Sequence, residues 1–130
     1  MKLATTLILL LLSGSALGSH PAVLITNSNA KEFGFEIITR ERGRLLTFEV
    51  TGPLTLRGSA CFPDSIGSTV SDENQKIIMS QSSPIENKNL RPSTSGFVVK
   101  KRSTLEISFS YICPNDNYGR VFTIRSIADF

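Results

Sequence analysis

The chain predicts an all-β domain: an antiparallel β-sandwich of about seven short strands, held by one disulfide. Three observations predict it. Apolar residues alternate with polar ones at period two along most of the chain, and turn-forming residues punctuate the runs. No segment repeats apolar residues at helical spacing over a useful length, and the two cysteines, Cys61 and Cys113, form an even pair. A small closed β-barrel is the alternative with the same strand pattern.

The first 18 residues read as a signal peptide. Lys2 supplies the positive n-region, residues 3–12 are apolar apart from Thr5 and Thr6, and Ala16-Leu17-Gly18 offers small residues for cleavage. A membrane span needs about 20 apolar residues, roughly twice this run. The expected mature chain, residues 19–130, is one exported domain, secreted or periplasmic, without a transmembrane segment. Loss of Lys2 leaves 13 basic against 11 acidic residues, a net of +2. That near-balance does not announce a nucleic-acid partner. No Asn-x-Ser/Thr sequon occurs.

Along the mature chain, residues 22–26 are apolar and β-branched, and Asn27-Ser28-Asn29 stops them. Phe33, Phe35 and Ile37 alternate with polar or small residues, as do Leu46, Phe48 and Val50. The Gly43-containing turn between these runs predicts a hairpin. Leu54, Leu56, Gly58 and Ala60 continue one face toward Cys61, with small residues that leave room for close packing. Residues 63–75 read as loop, 76–80 as a short strand or one helical turn, and 81–96 as Ser-, Asn- and Pro-rich solvated surface. Order returns with Phe97-Val98-Val99 and a basic turn. The cleanest strand follows, in which Leu105, Ile107, Phe109, Tyr111 and Cys113 share one face, and residues 120–127 close the chain.

Export places Cys61 and Cys113 in an oxidising compartment, where an even pair reads as a disulfide. Closing that loop stabilises the fold by about 4 kcal/mol on the chain-entropy argument. Cys113 is in phase with a core-facing run, so its thiol is spent on packing and bonding. Pro114 then ends the ladder. Asn115, Asp116, Asn117 and Tyr118 form a turn that doubles as a possible interaction loop, and one Asp with two amides is thin for calcium, so no metal is assigned.

Catalysis is disfavoured by what is missing. His20 is the only histidine, two residues beyond the expected cleavage site, so no packed histidine can serve a Ser or Cys nucleophile. No cofactor is implied. Cleavage after Leu17 would create a Gly18-Ser19-His20 terminus able to hold Cu(II) in a square plane, and cleavage after Gly18 destroys it. Two basic turns remain, Arg40/Arg42/Arg44 and Lys100/Lys101/Arg102. Brought to one end, they would form an anionic-ligand patch for sulfated or carboxylated glycans, or for anionic lipid surfaces. Left apart, they are solubility devices that protect strand edges.

Tyr111-x-Cys113 is similar to the tyrosine-corner spacing of immunoglobulin-type sandwiches, which implies an immunoglobulin-like architecture. The core Trp of that family is absent. Residues 95–124 resemble in layout the chagasin-type cysteine-protease inhibitors. Thr104-Leu105, Phe109-x-Tyr111-x-x-Pro114 and Phe122-Thr123-Ile124 carry the likeness, while their Asn-Pro-Thr-Thr-Gly loop is absent. That resemblance implies loops gathered at one end: residues 27–31, 84–96 and 114–119. The expected function is therefore a non-enzymatic binding module for a protein or an anionic glycan surface. A chagasin-like protease inhibitor is the alternative, and a small hydrolase-type enzyme the third reading.

Overall fold

The two cleanest alternating runs build the middle of the molecule. Leu45–Thr51 buries Leu46, Phe48 and Val50 and turns Thr47 and Glu49 to solvent. Ser103–Ile112 buries Leu105, Ile107, Phe109 and Tyr111. A strand alternates faces at every residue, so each run must lie against a second apolar layer.

The structure, a computed structural model, describes residues 22–56, 60–114 and 119–130. Its strands are β1 (Val23–Leu24), β2 (Glu36–Arg42), β3 (Leu45–Thr51), β4 (Phe62–Asp72), β5 (Ile77–Pro84), β6 (Ser93–Val99), β7 (Ser103–Ile112) and β8 (Arg120–Ile124). A 3-10 turn, Ile127–Asp129, follows. Five strands form one sheet in the order β1-β8-β7-β4-β5, and three form the other in the order β2-β3-β6. Neither sheet closes, so the chain is a sandwich and not a barrel. All pairings are antiparallel except β1 with β8, which is parallel.

The middle of the chain departs from its sequence reading. Residues 63–75, expected as loop, are mostly β4, and residues 81–84 and 93–96 belong to β5 and β6. The reason is physical. All eight residues of β5 are exposed and those of β4 are mostly half-buried, so neither face needed an apolar stripe. A bulge between Pro63 and Ser65 also breaks the alternation in β4. Conversely, the expected run toward Cys61 is not a strand over residues 52–56, and residues 57–59 lie outside the described ones.

Cys61 and Cys113 are bonded across 52 positions of sequence. They flank the paired ends of β4 and β7, so the bridge staples two neighbours of one sheet. In immunoglobulin domains it would join the two sheets. The Tyr111 hydroxyl donates instead to Pro53 O at 2.7 Å, reaching the segment that leaves β3. The corner spacing is present, but it ties the layers by a different bond. Burial pushes this hydroxyl's pKa up, partly opposed by the Arg91 charge.

An aromatic cluster fills the same end. Phe35 packs edge-on to Phe109 at 5.3 Å, and Tyr111 edge-on to Phe122 at 5.6 Å. Gly52 lies against it, and a Cβ there would stand 2.8 Å from the Tyr111 hydroxyl and 3.1 Å from Phe109. Arg91 clamps the rim, donating to Gly52 O, Gly34 O and Glu36 Oε1 at 2.9–3.1 Å.

Candidate functional site

Antiparallel register decides which cations meet. Pairing of Arg42 with Leu45 leaves Gly43-Arg44 as a two-residue turn, and Gly43 adopts the positive φ that its first position requires. β3 pairs with β6 so that Leu45 faces Val99, and the Lys100 amide donates to Arg44 O at 2.8 Å. The turn from β6 to β7 is thereby fixed beside the turn from β2 to β3. Gly43, Arg44, Lys100, Lys101 and Arg102 line an open depression of about 490 Å³.

Arg40 and Arg42 stand one strand-length step apart on the outward face of β2, about 7 Å from each other. Cross-strand rows carry them over this face: Arg40, Thr47, Phe97 and then Arg42, Leu45, Val99. Phe97 is 70% exposed and Val99 38%. Lys100 pairs with Glu41. Among the described residues Arg40, Arg42, Arg44, Lys101 and Arg102 enter no ion pair. Residues 40–44 and 100–102 thus hold six of the fourteen cations against one of the eleven carboxylates. The charge is polarised, not spread.

Lys101 has φ +67°, a left-handed conformation that glycine adopts more readily. The turn from β4 to β5 shares this end, and there Asp72 caps its own turn through the Asn74 and Lys76 amides, at 2.9 Å each.

Comparison with protein-family models, curated proteins and solved structures finds no match for this chain. The site therefore rests on its geometry.

The remaining candidates fare differently. Asn115, Asp116, Asn117 and Tyr118 lie outside the described residues, as do Gly18, Ser19 and His20. The loops singled out by the inhibitor resemblance do not share one end. Residues 85–92 and Pro114 follow the ends of β5 and β7 near the disulfide, whereas the Asn27 side chain donates to Asp129 O beyond the far end of β8. Among the described residues no three of His, Cys, Asp and Glu come together as a metal site. Sequence reasoning missed Phe97 and Val99 as part of the surface. Their exposure follows from which neighbour β6 takes, and that pairing has no local signal. Glu41, the counter-charge to Lys100, was equally hidden.

Proposed function

We propose that the protein is an exported, non-enzymatic binding module that docks on anionic glycans through its basic end. One observation carries this reading: two turns far apart in sequence are hydrogen-bonded side by side around a depression lined by Arg44, Lys100, Lys101 and Arg102. Arg40 and Arg42 stand on the adjoining face of β2, and among the described residues only Lys100 of these six enters an ion pair. Unpaired cations repel one another, and concentrating them costs stability that a bound polyanion returns. Lys101 in a left-handed conformation points the same way, because strain of this kind gathers at functional sites. Sulfates or carboxylates on a linear chain would meet Arg40 and Arg42 in succession, with Phe97 and Val99 as an apolar strip alongside. A hydrated polymer fits this face better than a lipid layer, which would have to dehydrate Thr47 beside Arg40 and the Glu49 carboxylate one row further along the same face. The disulfide and the leader-like first 18 residues support export.

The test is retention on immobilised heparin. The mature protein should elute at a salt concentration well above that of a neutral-surface protein of equal net charge, and the combined change of Arg40, Arg42 and Arg44 to Gln should remove most of that retention. Equal elution of the two proteins would reduce the turns to solubility devices.

A further inference from the structure

The three-stranded sheet stops at β6, and the five-stranded sheet does not stop beneath it. Every residue of β5 is exposed, including Met79, which pairs with Val70 on the inward side, at 49%. The β4–β5 ribbon therefore overhangs. Between it and the β6 edge lies a groove of about 360 Å³, floored by Ile66, Ser68, Gln81 and Ser83, walled by Thr94 and closed at one end by the connection from Pro84 to Ser93.

Both free edges have unmade ladder bonds. Gly52 N–H bonds Pro92 O and Lys100 N–H bonds Arg44 O, so even-numbered residues of β6 face β3. Ser93, Ser95, Phe97 and Val99 turn their amides and carbonyls away. Ile85 N–H bonds Asp64 O, so in β5 Ser80 and Ser82 point both groups outward and Pro84 its carbonyl alone. Neither edge carries a charge from Ile77 to Pro84 or from Ser93 to Val99, whereas β2, the opposite edge of the small sheet, has Glu36, Arg40, Glu41 and Arg42. Charged residues are the usual protection of an edge against pairing. Here two edges go without charge, on the same side of the sandwich, and β5 is blunted only by a bulge beside Met79 and by its terminal Pro84.

We propose that a second copy of this chain fills the groove, in a two-fold dimer whose axis lies between the layers along the strands. Each overhanging β5 then enters beside the other copy's β6, and both layers become continuous eight-stranded sheets. The five-against-three mismatch is complementary to itself only when one copy is turned over. Pairing β6 with β6 instead would drive the two overhangs into one layer.

Three features agree with this arrangement. β5 and β6 run in opposite directions, which makes the junction antiparallel. The outward-bonding residues are odd in β6 and even in β5, and both sets lie on the outer face, so the pleats match. The register that pairs Ser95 with Ser82 of the second copy also sets Val99 beside Ile78 and Val98 beside Met79. Hydroxyls also meet at Thr94 and Ser83, while Phe97 falls opposite Ser80. The two junctions offer on the order of a dozen backbone hydrogen bonds, comparable to the roughly ten of a stable interface. An axis along the strands also leaves both basic ends at the same end of the dimer, so a long polyanion would engage two patches.

Sedimentation of the mature protein at tens of micromolar tests this. We expect twice the chain mass. Met79→Lys buries a charge between the layers only in the dimer, and Ser95→Pro removes an amide hydrogen that the monomer leaves unbonded. Each should raise the dimer dissociation constant at least tenfold while leaving thermal unfolding of the monomer in place. Should one variant fail to fold, the other carries the test. A monomer at every concentration would overturn the proposal, and so would a dimer indifferent to the folded variants. Heparin retention is read separately, so failure of the dimer and failure of the glycan reading remain distinct.

Discussion

The two sides of this sandwich are built to opposite rules. Around β3, β7 and β8 the side chains interdigitate. Val50 and Ile124 are wholly buried, four aromatic pairs lock together among the described residues, Tyr111 ties one layer to the other, and Arg91 gathers the ends of β2 and β3. Around β5 and the groove beside it Ser68, Gln81, Ser83 and Thr94 face inward among few apolar residues, and large apolar residues stand in solvent. The difference teaches where stability ends and recognition begins. The first side specifies the fold, and the second leaves backbone and surface unspent.

The comparison can be broken most forcefully at the bridge. Replacing Cys61 and Cys113 together by Ala should lower stability by about 4 kcal/mol, because the loop it closes is long. Denaturant unfolding measures this, and a loss under about 1 kcal/mol would mean that the packed side does not depend on its staple. Gly52→Ala is next. Its Cβ meets the Tyr111 hydroxyl and Phe109, so overpacking should cost about 1–3 kcal/mol. A neutral result would show that the aromatic cluster can shift.

At the basic end the expected sign reverses. Lys101→Gly relieves a left-handed lysine and should stabilise by about 1 kcal/mol while weakening heparin retention. Improvement of both would separate the strain from the site. The smallest effect belongs to the open side: Ile78→Ser, at a position 64% exposed, should leave monomer stability within about 0.5 kcal/mol. A larger loss, measured at concentrations where no dimer forms, would show that the overhang is packed after all.

Much of the packed side was legible in the sequence. Leu105, Ile107, Phe109 and Tyr111 announce β7 by alternation alone, since a strand between a core and solvent has no other solution. The β2–β3 hairpin was legible in its Gly43 turn and in β3, whereas the run read at Phe33, Phe35 and Ile37 mostly precedes β2, which continues through Arg40 to Arg42. β4 and β5 were not, because burial is what writes a pattern into a strand and Ser68, Gln81 and Ser83 face a groove. Arg91 gave no sign of its three-way clamp, which depends on residues 34, 36 and 52 arriving around it. The six cations were visible as charges, although Arg40 and Arg42, expected in a turn, belong to β2. Their meeting at one end depends on the pairing of β3 with β6, a contact across some fifty residues that no local reading supplies.

The most direct test of this division is residue-by-residue mapping of amide chemical shifts while a heparin-derived oligosaccharide is titrated into the isotope-labelled mature protein. Shifts should concentrate on residues 40–44, 97 and 99–102 and leave the aromatic cluster around Phe35, Phe109 and Phe122 unmoved. Shifts centred elsewhere, on Lys76, Lys88 or Arg125, or spread evenly over every cation, would contradict it.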